Sequence, residues 1–390
     1  MDEFSPHAKP NIAPIQSIAN LCNALSLTRE EFDYASSLAT PNGYMPIELT
    51  KKDGSKRTVY DPHPALRRVQ RRIKNRILAT NVVYPKFLYG SLSDPDHPRD
   101  YVRCAAIHCG AKTIAKIDIS NFFDNIDHDL TFRVFAEILH YPREVSLALA
   151  NICTREGTVP QGAATSSFIA NLCLFEEGAL VAGFTRENLR YTRLVDDITL
   201  SSTSTQKNLT RQFSKLEKML QDAGFPLNAD KSGIEHISTK AFSLHGLRIS
   251  QANPQLPRDE IRKIRADVHN LKQEAAKANA RVSFNYRRLF ESVSGKVNKL
   301  KRLGHPRYPT LRTQLTDIRP LPSKRDIRRC QVMLATLKRD FPDHSESYLY
   351  KKRYFRLRHR VGILRRIYER EAQNITQELK DLKPRHMDEH

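Results

Sequence analysis

Acid is the commodity this sequence runs short of: 43 Asp and Glu stand against 64 Lys and Arg in 390 residues, a net charge of +21. A soluble chain this basic usually works against a polyanion, and nucleic acid is the commonest. The six cysteines, at 22, 104, 109, 153, 173 and 330, form no CxxC pair. That excludes a zinc ribbon and a disulfide scaffold. Cys104, His108 and Cys109 lie close together, but no second ligand pair follows them. No apolar run approaches the roughly 18 residues that a membrane helix requires, and the start Met1-Asp2-Glu3 carries no basic, apolar leader. The expectation is a cytoplasmic protein with no membrane partner. Repeats of about 20–50 residues and low-complexity tracts are missing too, which excludes solenoids and arrays. What remains is enough chain for a large core and more than one domain.

The acids that are present fall in a pattern. Tyr191-Thr192-Arg193-Leu194-Val195-Asp196-Asp197-Ile198-Thr199-Leu200-Ser201 sets two adjacent carboxylates between β-formers, which predicts a hairpin with Asp196 and Asp197 at its turn. Neighbouring side chains of a strand point to opposite faces, so a turn is where consecutive acids can serve one site. An Asp-Asp turn standing alone is more often simply solvated. Upstream, however, Thr113-Ile114-Ala115-Lys116-Ile117-Asp118 reads as a short strand ending in another acid, followed by an aromatic turn through Phe122 and Phe123. Clustered acids need a cation or strong hydrogen bonds to offset their repulsion. Asp118 with Asp196 and Asp197 supplies the carboxylates of a two-metal phosphoryl-transfer site, and Mg²⁺ suits it because it takes few carboxylates and keeps places for phosphate oxygens.

Asp118 followed by two aromatics, then Pro160-Gln161-Gly162 leading into a small-residue helix, then the Asp-Asp hairpin, in that order, resembles the reverse transcriptases, and among them the bacterial retron-type enzymes. The likeness spans about residues 15–315. Leu194 stands where the family usually has Tyr. Cys104 stands where the retron segment Asn-Ala-x-x-His has Asn, and Leu244-His245-Gly246 where Val-Thr-Gly is usual. The resemblance implies an α+β right-hand polymerase fold: N-terminal helices and fingers over 1–100, a palm with interleaved fingers helices over 101–253, a helical thumb over 254–320, and a basic helical extension over 321–390. It implies an RNA-directed DNA polymerase using two Mg²⁺ ions, or Mn²⁺ in their place, at Asp118, Ile119, Asp196 and Asp197. The implied substrates are dNTPs on a structured non-coding RNA, as for a retron enzyme that makes RNA-linked single-stranded DNA in anti-phage defence. Two alternatives stay open: a defence-associated reverse transcriptase outside the retrons, untemplated or oligomeric, and an inactive RNA-binding scaffold. An effector protein or a second copy would be a further partner.

Other stretches take their expected roles from that comparison. Lys51 to Lys56 surrounds an Asp53-Gly54 turn between two β-rich runs, a hairpin whose cations could equally be a solvated edge; the family's fingers hairpin folds over the triphosphate, which points to Lys52 and Arg57. Phe123 falls at the family's sugar gate, although either it or Phe122 should be core. Gly162 permits close backbone approach, and Gln161 has both donor and acceptor for a nascent base pair. Lys231, in Leu227-Asn228-x-x-Lys231-Ser232, is expected near the triphosphate. His108 is expected either to contact RNA or to be a structural histidine. Leu66 to Leu78 reads as an amphipathic helix offering its cationic face to a phosphate backbone. In the tail, Tyr350, Tyr354, Leu357, Val361, Leu364 and Tyr368 repeat as a heptad-like seam that should dock on the protein. Arg356, Arg360 and Arg366, among the cations around it, are expected to meet RNA or else another subunit.

Overall fold

The computed structural model describes residues 3–50, 54–94, 97–239, 241–249 and 252–385. The chain falls into two compact units, Met1–Pro254 and Gln255–His390.

The first unit opens with helices α1 (Ile18–Leu25) and α2 (Arg29–Ser37). Thr28 and Glu31 close a reciprocal capping box on α2, satisfying amides the helix itself cannot. Strands β1 (Tyr44–Thr50) and β2 (Lys56–Pro62) form the antiparallel hairpin, Tyr44 opposite Pro62 and Thr50 opposite Lys56. Its tip, with Lys52, lies outside the described residues. Helix α3 (Pro64–Arg72) runs on through a wider π-type stretch, Ile73–Leu78. The predicted stripe Leu66, Val69, Ile73 and Ile77 is buried, but the cationic face does not look out to a phosphate backbone. Arg68 pairs with Glu31, Arg72 donates to the Leu25 and Ser26 carbonyls, and Arg76 donates to the Ala24 carbonyl and the Ser26 hydroxyl. Those guanidiniums close the C-terminus of α1, whose carbonyls would otherwise be unpaired.

Five strands make the central sheet: β3 (Leu88–Tyr89), β4 (Thr113–Asp118), β5 (Arg190–Leu194), β6 (Asp197–Ser202) and β7 (Gly233–His236), in spatial order β3-β5-β6-β4-β7. All neighbours run antiparallel except β3 with β5. Ile114, Ala115 and Ile117 of β4 and Ile198 and Leu200 of β6 are buried. A strand this apolar belongs in the middle of a sheet covered on its faces. Helices α4 (Tyr101–Ile107), α5 (Ser166–Leu172), α6 (Glu177–Arg186) and α7 (Thr210–Asp222) flank it, and a last hairpin, β8 (Ser243–Leu244) with β9 (Leu247–Arg248), ends the unit.

The second unit holds helices α8 (Arg258–Ala276), α9 (Phe284–Arg302) and α10 (Tyr308–Asp317), then α11 (Lys324–His344), α12 (Tyr348–Leu364) and α13 (Glu369–Lys380). Tyr350, Tyr354, Leu357, Val361 and Leu364 of the seam are buried and pack with Leu334, Leu337, Ile375 and Leu379 of the neighbouring helices. The seam is therefore the core of a three-helix bundle. An Arg287–Asp326 ion pair at 2.6 Å fastens that bundle to α9. Two of the three arginines expected on RNA point elsewhere: Arg366 donates to the Pro320 carbonyl at 2.7 Å, and Arg360 is half-buried, its pKa pulled down by burial and by Arg329. Arg356 is exposed. Periodicity located the apolar stripe but could not say which cations lie next to it. No single helix among the described residues is long and apolar enough to cross a membrane.

Candidate active site

Asp118 ends β4 and Asp197 begins β6, and the register sets them opposite each other across the antiparallel ladder. Leu194 pairs with Asp197, so the turn between β5 and β6 is only Val195 and Asp196. Val195 has φ +61°, a left-handed conformation that a β-branched residue avoids unless its surroundings impose it. Here they do. Its carbonyl accepts from Arg193 Nη1 at 3.1 Å, and the Asp196 carbonyl accepts from the Ile119 amide at 3.3 Å.

Arg193 is the anchor that sequence reasoning missed. Its side chain is wholly buried, with Nε and Nη2 donating to the two Glu177 oxygens at 2.7 and 2.9 Å. The remaining donors reach the Ala170 and Asn171 carbonyls at 2.9 and 3.0 Å, and the Tyr191 hydroxyl donates to Glu177 at 2.6 Å. A buried charge survives only when paired and fully hydrogen-bonded, and this one is. The acidic turn is thereby tied to the end of α5 and the start of α6. An arginine in the middle of an otherwise β-forming run was the available signal.

The three carboxylates sit in different surroundings. Asp118 Oδ2 accepts from Asn228 Nδ2 at 3.1 Å and from Lys231 Nζ at 3.2 Å, while the Asp118 amide donates to Ser232 Oγ at 3.1 Å. The whole Leu227-to-Ser232 segment thus wraps one acid. Lys231 is 65% exposed and Asp118 16%, so the pair is worth little as a fold contact; it leaves the ammonium free to meet something else. Asp196 is pushed up to about 6 by burial and by Asp197 beside it. Folding favours its protonated form, so stability contributed below the ordinary carboxylate range is lost as pH rises through about 6. Asp197 is nearly half exposed, with His245 Nδ1 3.6 Å from its Oδ2. Crowded carboxylates, one of them raised by burial and by its acidic neighbours, are a donor set that a divalent cation fits. Among the described residues no three acidic, His or Cys side chains close around a point by themselves; a catalytic ion keeps positions for water and phosphate oxygens.

The Pro160-Gln161-Gly162 turn lies against the hairpin. The Tyr60 amide donates to the Gln161 carbonyl at 2.7 Å. Gly162 has φ +111°, and a Cβ there would fall 2.6 Å from the Tyr60 carbonyl, so no side chain fits. Arg57 is exposed on β2, opposite Leu49. Phe122 is buried against Phe225, ring centroids 5.2 Å apart, whereas Phe123 is half-buried at the edge of the core. The aromatic pair therefore splits into one core residue and one that keeps an open face. Phe123→Ala should raise the ratio of ribonucleotide to deoxyribonucleotide incorporation; an unchanged ratio in a folded, active variant would move the gate elsewhere.

His108 does not reach a surface. It is 0% exposed, with Nδ1 2.7 Å from Ser201 Oγ and Nε2 2.8 Å from Thr192 Oγ1. Burial drives its pKa down to about 3, so it is a neutral strut between α4, β5 and β6 and not an RNA contact. All six cysteines are free and buried.

The family described as reverse transcriptase (RNA-dependent DNA polymerase) matches residues 49–306. The chain is 43% identical to the Retron Ec48 reverse transcriptase of Escherichia coli, over 98% of this chain and 96% of that one. It is 31% identical to the Retron Se72 reverse transcriptase of Salmonella heidelberg (strain 579083-10), over 83% and 85% of the two chains. Among solved structures, a Candida tropicalis telomerase in complex with a fragment of telomeric RNA aligns over 89% of this chain and 64% of that one, with a TM-score of 0.43 and 11% identity.

Proposed function

We propose, from the premise that this chain belongs to the retron reverse transcriptases and is an RNA-directed DNA polymerase, that it works by two-metal nucleotidyl transfer on a structured partner RNA. The family uses divalent metal ions, and Asp118, Asp196 and Asp197 would hold them here, with Mg²⁺ the natural ion and Mn²⁺ its substitute. When bound, the ions supply the positive charge that activates an attacking hydroxyl and steadies the leaving pyrophosphate. The observation that carries the reading is the register: Asp118 stands opposite Asp197, with Asp196 on the adjoining two-residue turn. Ile119 would contribute main chain only, since its side chain is buried.

The chain's own groups do the rest. Lys231, already at Asp118 and exposed, counters triphosphate charge and is placed to return a proton to pyrophosphate. Gln161 and Gly162 offer backbone and amide groups to the nascent base pair, and Arg57 offers charge-assisted bonds to phosphate. Phe123 excludes a 2′-hydroxyl. The excess of 64 basic over 43 acidic residues supports a structured RNA as primer and template. Kinship with retron enzymes supports a cytoplasmic role in anti-phage defence. Fe²⁺ in place of Mg²⁺, with ascorbate and peroxide, should cut the chain beside residue 118 and beside 196–197, and Mg²⁺ should compete the cuts away. Cleavage confined to other places would remove these acids from the metal site.

A further inference from the structure

Two departures from the retron pattern meet in space. Cys104 lies on α4 and His245 at the turn joining β8 to β9, and Cys104 Sγ is 3.4 Å from His245 Nε2. The other ring nitrogen, Nδ1, is 3.6 Å from Asp197 Oδ2. The turn explains how the ring reaches so far. Leu244 pairs with Leu247, which leaves His245 and Gly246 as central residues with φ +50° and +78°, the signs of a type I′ turn. The tip of such a turn ordinarily carries a solvated Asn or Gly. Here Gly246 is exposed, but the His245 side chain is only 8% exposed.

Behind it, Cys104 is fully buried and its thiol also reaches Thr192 Oγ1 at 3.2 Å. Burial pushes that thiol up to about 12, which favours its protonated form. Asp118 is oriented by Asn228 and Lys231. Among the described residues, His245 is the sole side chain paired with the Asp197 carboxylate.

We propose that His245 is a positioning residue for Asp197: with Nδ1 facing the carboxylate and Nε2 braced against the Cys104 sulfur, the imidazole sets the orientation in which Asp197 meets a cation. This rests on the metal-site reading above. A carboxylate that can rotate must be ordered at the moment of binding, and a fixed ring beside it reduces that cost. Partners behind metal ligands are typically worth about 10- to 100-fold in affinity or activity.

The test uses two variants with the same backbone preference. His245→Gly and His245→Asn both accept positive φ, but Asn alone keeps an N–H donor where Nδ1 was. Mn²⁺ binding to the full-length protein without nucleotide is read from the electron paramagnetic resonance signal of the free ion, alongside a thermal melt. His245→Gly should weaken Mn²⁺ by about 10- to 100-fold, and His245→Asn should stay near wild type. Cys104→Ser, which keeps a donor to Nε2, should bind more tightly than Cys104→Ala, and this pair decides the matter if His245→Gly fails to fold. Asp197→Asn is the reference. If it leaves Mn²⁺ binding unchanged, the metal-site reading falls and this proposal with it. If it weakens binding while His245→Gly binds as wild type, or if Gly and Asn lose equally, the positioning role alone is overturned.

Discussion

Replacing Asp196 and Asp197 together with Ala should cut dNTP incorporation by about 10³-fold or more, since metal-borne charge stabilisation is worth several kcal/mol and each 1.36 kcal/mol is tenfold in rate. Binding of the partner RNA should stay close to wild type, because the contacts that attract a polyanion are Lys and Arg elsewhere. The variant should also be at least as stable as the parent without metal. Burial and a like charge already hold Asp196 up to about 6, and removing both carboxylates relieves that repulsion. The measurement is therefore paired: primer extension with dNTPs, and a thermal melt in chelator. Normal extension by the double variant would show that the reaction is carried elsewhere. A sharply lower melting temperature would show that the acids hold the fold together.

Glu177→Ala should be the most destabilising single change in the first unit. It strands the Arg193 guanidinium, 0% exposed, and breaking a buried pair from one side costs about 3–5 kcal/mol. Whole domains are stable by only about 5–15 kcal/mol, so a large share of the margin goes. Urea denaturation should show an earlier midpoint with little change in slope. Glu177→Leu combined with Arg193→Met should be milder, because no charge is left buried without its counter-ion; what remains is the loss of partners for the Tyr191 hydroxyl and the Ala170, Asn171 and Val195 carbonyls. A single variant whose midpoint matches wild type would mean the guanidinium finds water or another acid.

The contrast between the pieces legible in the sequence and those that were not follows from range. The Asp196-Asp197 hairpin, the Leu66–Ile77 stripe and the Tyr350–Leu364 seam are specified by residues a few places apart, and they stand where local chemistry puts them. Arg193 with Glu177 joins a strand to a helix start across a packed interface, and no periodicity records it. The same limit governs cations. A helical wheel separates apolar from charged faces, but Arg72, Arg76 and Arg366 each turn a charged head onto a main-chain carbonyl, which only the folded neighbours determine. His108 was legible as a buried strut or as a ligand contact. Its two hydroxyl partners, on β5 and β6, decide for the strut.

The seam between Tyr60 and the Gln161-Gly162 turn has a mechanical consequence. One hydrogen bond at 2.7 Å and a glycine with no room for a methyl group leave no slack between the cationic hairpin and the loop beside it. Any movement of the Tyr60 strand must carry the loop along, the two behaving as a single lever. A side chain at position 162 would wedge strand and loop apart and break that linkage.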